Sequence, residues 1–213
     1  MRTLVIVPIY NYFELVNKIV SFYNHSLDEA DVLIVNDGKI IPNLIYDNHD
    51  YSYANNPPDF HGDLRYIYSH YYDESEYDCI IINEHDVLPN EQSLYACMDT
   101  FENCDQWCAS VSCMYNWRGI PCYPGNPNWL LEEPYIKNHC GVISRVNKMG
   151  VPFAFSLWKP HALKLINDNQ LPKLWKLDSA FGIILNNAGY YHLRLKDYYV
   201  EHAQGGIKSW HKP

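Results

Sequence analysis

Three short apolar runs, each ending abruptly in polar residues, constrain the fold more than any other feature: residues 3–9 (TLVIVPI), 31–36 (DVLIVN) and 78–83 (DCIIIN). Each is too short for a buried helix and rich in β-branched residues, so each reads as a strand covered on both faces. Such strands belong to parallel sheets sandwiched between helices. Between the first two, Asn11 can cap a helix, Glu14 can reach back to the cap, and Phe13, Val16, Val20 and Tyr23 recur at helical spacing. Strand, helix and strand make a βαβ unit, right-handed by strong preference.

The pattern continues less regularly. Residues 39–62 lack periodicity and read as a functional loop or as a loop hiding a short edge strand. A helix is expected over 63–72, capped by Asp63, with Leu64, Ile67, Tyr68 and Tyr71 on one side, and another over 90–101, with Leu94, Cys97, Met98 and Phe101 facing inward. A strand is expected near 107–113. Residues 115–134 carry four prolines, two glycines and two tryptophans, which suits a lid or binding loop. Strands over 141–145 and 154–158, helices over 161–167 and 178–187, and strands over 191–195 and 198–200 precede a Gly-rich tail. The expected fold is a single α/β domain: a mostly parallel central sheet flanked by helices, with a small antiparallel sheet beside it. A chain of 213 residues buries about 70% of its unfolded surface in one such core.

Charge narrows the partners. A formal net charge of −9, with no basic run longer than two residues, lacks the footprint that holds a nucleic-acid backbone. An acidic chain handling a phosphorylated substrate needs a cation or a few placed basic side chains. The seven cysteines are scattered without Cys-x-x-Cys pairs, which suggests neither a disulfide framework nor a zinc ribbon and fits a reducing, cytoplasmic setting. No run approaches eighteen apolar residues, and the first ten residues are too short for a secretion signal, so a soluble, unsecreted protein with no membrane span is expected.

In open parallel sheets ligands bind beyond the carboxyl ends of the strands. Those ends are Tyr10-Asn11, Asn36-Asp37-Gly38 and Glu84-His85-Asp86. Carboxylates at the end of a buried strand are expensive unless something cationic compensates them, and Glu84 and Asp86 share one face of an extended segment, as two ligands of one hard divalent ion would. A solvated strand end, with Asp86 capping a turn, accounts for the same residues. The 19 tyrosines and six tryptophans suit sugar faces as a group, with Trp117, Trp129, Trp158 and Trp175 as candidates for an acceptor platform, although core packing explains any one of them.

The segment IIINEHDVLP resembles the strand, acidic turn and proline of GT-A glycosyltransferases, with Glu84 and Asp86 in the two positions of the Asp-x-Asp motif; a shifted register would pair Asn83 with His85. The opening VIVPIYN and the LIVNDG turn are similar to the same superfamily. The run from His202 through Gly205, Gly206 and Lys208 to Trp210 resembles the His-x-x-Gly-x-x-Lys-Pro-Trp segment of glycogenin-like and bacterial lipopolysaccharide-type retaining enzymes, with Ser209 in place of the proline. Short motifs at the start, middle and end carry the likeness, and residues 107–175 match only loosely. The chain also resembles the N-terminal domain of large chlorovirus glycosyltransferases that decorate capsid protein, and ending at Pro213 suits a domain cut from a longer polypeptide.

The resemblance implies a GT-A (Rossmann-like) domain with a nucleotide-binding half, 1–105, and an acceptor-binding half, 106–213. It implies Mn²⁺ or Mg²⁺ held by Glu84, Asp86 and His202, and a UDP-sugar donor contacted by Pro8, Tyr10, Asn11, Asp37 and Arg65. Gly205 and Gly206 would let the backbone approach the diphosphate, and Lys208 would neutralise it. Asp178 in KLDSAFG falls where these enzymes carry an acidic residue beside the reacting sugar; it is equally a good N-cap for its helix. The acceptor would be a glycan or glycoprotein, and the setting the cytoplasm, the host's for a viral protein. Two other readings stay open. A sugar-phosphate nucleotidyltransferase would carry a Gly-rich, basic loop after the first strand, where this chain has PIYNYFE; a non-catalytic glycan-binding module would need neither the acidic triplet nor the terminal His and Lys.

Overall fold

The computed structural model describes residues 1–9, 15–36, 49–53, 76–117, 120–122, 130–138, 141–146, 154–168 and 177–202. The three apolar runs become β1 (Thr3–Ile9), β2 (Ala30–Asn36) and β4 (Cys79–Asn83), with α1 (Val16–Ser26) between the first two. A short edge strand, β3 (His49–Tyr53), pairs in parallel with β2 inside the aperiodic stretch. β5 (Val87–Leu88), α2 (Glu91–Asn103), β6 (Cys108–Trp117), β7 (Ile120–Cys122), β8 (Leu130–Asn138) and β9 (Gly141–Val146) follow. The chain continues through β10 (Phe155–Trp158), α3 (Pro160–Asp168), α4 (Leu177–Asn187) and β11 (Tyr191–His202).

Alternation explains why the early runs are apolar throughout. Val5, Val7, Ile9, Cys79 and Ile81 join a core layer with Ile19, Val20 and Tyr23 of α1 and Leu94, Cys97 and Phe101 of α2. Leu4, Ile6, Ile80 and Ile82 point the other way, into a layer with Ala162 and Leu163 of α3 and Leu185 of α4. Each fully buried aliphatic side chain contributes about 1.5–3 kcal/mol, so both faces need their helices.

The sheet differs from the expectation of a mostly parallel one. Its order is β3-β2-β1-β4-β10-β6-β11-β9-β8, with β5 on β11 and β7 on β6. The strands β3, β2, β1 and β4 are parallel and run in the 3-2-1-4 order of doubly wound folds. Beyond them β10 lies antiparallel to both β4 and β6, and among the described strands only β6 and β11 are again parallel. The antiparallel strands β8 and β9 continue this sheet through β11 instead of forming a separate one. Parallel neighbours need a long crossover, normally a helix, and no described helix separates β6, β7, β8 and β9.

Local boundaries shift too. The capping positions around Asn11 lie outside the described residues, and α1 is preceded by Leu15, which makes no side-chain cap. The expected helix over 63–72 also lies outside them. The proposed lid over 115–134 contains the end of β6, all of β7 and the start of β8. The two expected terminal strands are one, β11, with a register shift between Leu195 and Tyr199. Trp158 is fully buried, its indole N–H donating to Ser156 Oγ at 2.7 Å, so it is core and not part of an acceptor platform. Among the described residues no helix is long and apolar enough to cross a membrane.

Candidate metal centre

The acidic triplet sits on a turn that the structure holds from several sides. Val87 N–H donates to Glu84 O at 3.1 Å, closing the turn, and Glu84 N–H donates to Ala154 O at 2.9 Å. Asn83, the last residue of β4, is fully buried; its amide nitrogen donates to Glu84 O at 2.8 Å and Val87 O at 3.0 Å, while its amide oxygen accepts from Tyr23 Oη at 2.8 Å. Burial pushes the Tyr23 phenol well above its usual value, so it stays a donor. A single side chain thus clamps both ends of the turn, and a tyrosine from α1 orients it.

His85 turns inward and donates from Nδ1 to Pro8 O at 3.3 Å. In a strand, the N–H and C=O of one residue point to the same edge. Pro8 therefore presents its main chain toward β4 where the β1–β4 ladder, which ends at Ile6 and Ile82, has already stopped. The missing proline N–H costs nothing there, and the free carbonyl is taken by His85. Burial lowers the His85 pKa against the opposing pull of the Asp86 carboxylate and the Pro8 carbonyl, with His202 lowering it further.

His202 arrives from more than a hundred residues away because β11 pairs with β5, setting His202 opposite Val87 and Glu201 opposite Leu88. The same strand is pinned just earlier: Asn90 Nδ2 and Ser93 Oγ both donate to Tyr199 O, at 2.6 and 2.7 Å. Asn90 also caps α2, accepting from Ser93 N–H at 2.9 Å, so one residue starts the helix and anchors the ligand strand.

Ligand atoms of Glu84, Asp86 and His202 all lie within 4.8 Å of one another. His202 Nδ1 stands 3.8 Å from Asp86 Oδ2, too far for a hydrogen bond, with the Asp86 side chain 3% exposed and that of His202 21%. Asp86 Oδ1 is buried without a hydrogen-bond partner among the described residues. An orphaned carboxylate oxygen of this kind is costly unless a cation occupies the space beside it. Opposite ligands around a divalent ion are roughly 4–5 Å apart, from bond lengths of about 2.0–2.6 Å, so the spacing suits one ion. Two carboxylates and an imidazole form a mixed oxygen and nitrogen donor set compatible with such a cation.

The clamp makes a testable contribution. Asn83→Ala takes one donor from each of two backbone carbonyls and the acceptor from the buried Tyr23 hydroxyl, and is expected to destabilise the protein by about 2–3 kcal/mol, with Tyr23→Phe costing about 1 kcal/mol. Urea unfolding measures both, and Mn²⁺ titration of the same variants should show weaker binding in the same order.

Of the residues singled out from sequence, the structure brings together Glu84, Asp86 and His202. The shifted register is disfavoured, since Asn83 spends its amide on Glu84 O, Val87 O and the Tyr23 hydroxyl, and His85 spends Nδ1 on Pro8 O. Pro8 is buried one residue before the end of β1. Asp178 is the second residue of α4, within its first turn and not at the N-cap. Tyr10, Asn11, Asp37, Arg65, Gly205, Gly206 and Lys208 lie outside the described residues, as do Trp129 and Trp175. Sequence reasoning missed Tyr23 and Asn83 as supports of the turn; an amide ending an otherwise apolar strand was the available signal.

No protein-family model matches the chain, and no curated protein matches it in sequence. Solved structures do match. A197 from STIV is similar with a TM-score of 0.54 and 14% identity, over 95% of this chain and 85% of that one. CMP:2-keto-3-deoxy-manno-octonic acid synthetase complexed with CTP is similar with a TM-score of 0.52 and 11% identity, over 98% of this chain and 96% of that one. At such identities the likeness speaks for the fold alone.

Proposed function

We propose that the chain is a glycosyltransferase that moves a sugar from a UDP-sugar to a hydroxyl of a glycan or glycoprotein, using Mn²⁺ or Mg²⁺ held by Glu84, Asp86 and His202. The observation that carries the reading is the convergence of those three ligands, with an orphaned Asp86 oxygen, at the carboxyl end of the parallel strands β1 and β4. The bound cation supplies Lewis-acid stabilisation of the diphosphate leaving group.

The rest of the site extends the same reading. Tyr10 stacks on uracil and Asp37 bonds its edge, with Pro8 and Asn11 lining the end of β1 and Arg65 meeting ribose or phosphate. Lys208 and the backbone at Gly205 and Gly206 meet the charge that builds on the β-phosphate as its bond to the anomeric carbon breaks. The acceptor oxygen bonds that carbon on the same face, and its proton passes to a phosphate oxygen, so configuration is retained. Asp178 orients the acceptor.

A second reading, sugar-phosphate nucleotidyltransfer, draws on the fold shared with the CMP:2-keto-3-deoxy-manno-octonic acid synthetase. The two reactions release different products. Incubation with a panel of nucleotide sugars, with and without Mn²⁺, is expected to release UDP in a metal-dependent way, and nuclear magnetic resonance of the first-formed glycoside should show the donor's anomeric configuration. Pyrophosphate release from a nucleoside triphosphate and a sugar phosphate would establish the second reading instead. A glycan-binding module would release neither.

A further inference from the structure

A second reactive arrangement stands apart from the metal centre, where α2 ends and β6 begins. Cys104 follows the last residue of α2 and Cys108 opens β6, and Cys108 N–H donates to Asp105 O at 3.2 Å to close the turn between them. The two side chains are electrostatic neighbours across this turn, and the Cys108 thiol donates to Ser110 O at 3.4 Å. Cys104 is half-buried and Cys108 is buried.

A cation completes the group. The Cys104 thiol and the Lys159 ammonium both donate to Phe101 O, each at 3.1 Å, so the ammonium stands within two hydrogen-bond lengths of the sulfur. The charged or titratable neighbours are Cys108, Lys159, Asp105 and the Tyr191 phenol, which neighbours the Asp105 carboxylate. The Cys108 hydrogen bond first, then Lys159, holds Cys104 below the usual thiol value against burial and the Asp105 carboxylate. Burial and the Cys104 sulfur keep Cys108 well above it. The more exposed thiol, beside the ammonium, is the one held low and the sheltered one is held high, the arrangement of an attacking and a resolving cysteine.

We propose that Cys104 and Cys108 form a peroxide-reactive dithiol. The Cys104 thiolate attacks hydrogen peroxide; a sulfur–oxygen bond forms, the oxygen–oxygen bond breaks, and the departing hydroxide leaves as water after taking a proton. The Cys108 sulfur then attacks the Cys104 sulfenic acid, forming the disulfide as the sulfur–oxygen bond breaks, and the hydroxide released takes the Cys108 proton. Two thiols and one peroxide give one disulfide and two waters. The closed loop is short, so the disulfide restrains the unfolded chain little and mass, not stability, is the sensitive readout.

The test treats the reduced protein with stoichiometric hydrogen peroxide at neutral pH, blocks remaining thiols with N-ethylmaleimide, and digests it with chymotrypsin. Cleavage after Phe101, Trp107 and Tyr115 should yield residues 102–107 and 108–115 joined by a disulfide, together lighter by two hydrogens and separable by reductant, with fragmentation placing the N-ethylmaleimide on Cys113 and none on Cys108. The buried Cys79, Cys97 and Cys113 should stay alkylatable. Cys108→Ser should stop at a Cys104 sulfenic acid captured by dimedone, and Cys104→Ser should leave Cys108 a thiol at the same dose. Full alkylation of both residues at a dose that oxidises glutathione in the same tube would overturn the proposal. So would pairing of Cys104 with another cysteine, or oxidation of Cys108 at the parent rate in Cys104→Ser.

Discussion

Asp86→Asn is expected to abolish metal-dependent donor binding and turnover while leaving the metal-free protein as stable as the parent or slightly more so. The carboxylate is nearly buried, and its Oδ1 has no hydrogen-bond partner among the described residues. Without a cation that charge is a liability, so a neutral amide of the same shape should gain on the order of 1 kcal/mol. With Mn²⁺ the order reverses. A ligand at a hundredfold its dissociation constant stabilises the folded state by about 2.7 kcal/mol, an increment the parent should show and the variant should lose. Removing the several kcal/mol of charge stabilisation that a metal supplies to a leaving diphosphate corresponds to a rate loss of about a thousandfold or more. Thermal unfolding with and without MnCl₂, beside UDP release, reads both effects. A variant that gains the same stability from Mn²⁺ as the parent would place the metal elsewhere.

Features encoded by neighbouring residues were legible in the sequence. The bounds of β1 follow from a run of seven apolar or β-branched residues, and the start of α2 from Asn90, whose side chain makes the capping bond. Glu84 and Asp86 were readable because carboxylates ending a buried strand require a compensating partner. Strand direction was not, since an apolar run reports burial on both faces without saying which way its neighbours point; β10 is as apolar as β4 and lies antiparallel to it. His202 came into view through a resemblance in the tail. What actually delivers it is β5, two residues long and too short for any periodicity. Tyr23 was assigned to the core by its helical spacing and does lie there; that its hydroxyl also fixes Asn83 depends on sixty residues of intervening chain. Trp158 misled for the complementary reason, because a tryptophan beside a serine on one strand can satisfy its own N–H and be buried outright.

Stability is expected to fall steeply as the pH drops below about 6.5, with His192 as a main cause. The imidazole is fully buried on β11, joined through Nδ1 to Ser110 Oγ at 2.6 Å and set edge-on to Trp158 at a ring separation of 5.5 Å. Burial above all, helped by the Arg194 guanidinium, pushes it down to about 3. An unfolded histidine titrates near 6.5. Between these values the unfolded chain takes up a proton that the folded protein refuses, so the stability present above about 6.5 is lost as the pH falls and is exhausted near 3. The slope approaches about 1.4 kcal/mol per pH unit, and the total is on the order of 3–5 kcal/mol, a large share of an ordinary domain's stability. His85, also lowered by burial, acts in the same direction, so the parent curve alone does not isolate one residue. His192→Gln does, because it removes one titrating group while keeping a polar neighbour for Ser110. Urea unfolding at a series of pH values, with chelator present to silence the metal centre, should give a variant less stable than the parent at neutral pH but with a slope between pH 6 and 4 shallower by about one proton. Parallel curves would mean that His192 gains its proton without unfolding.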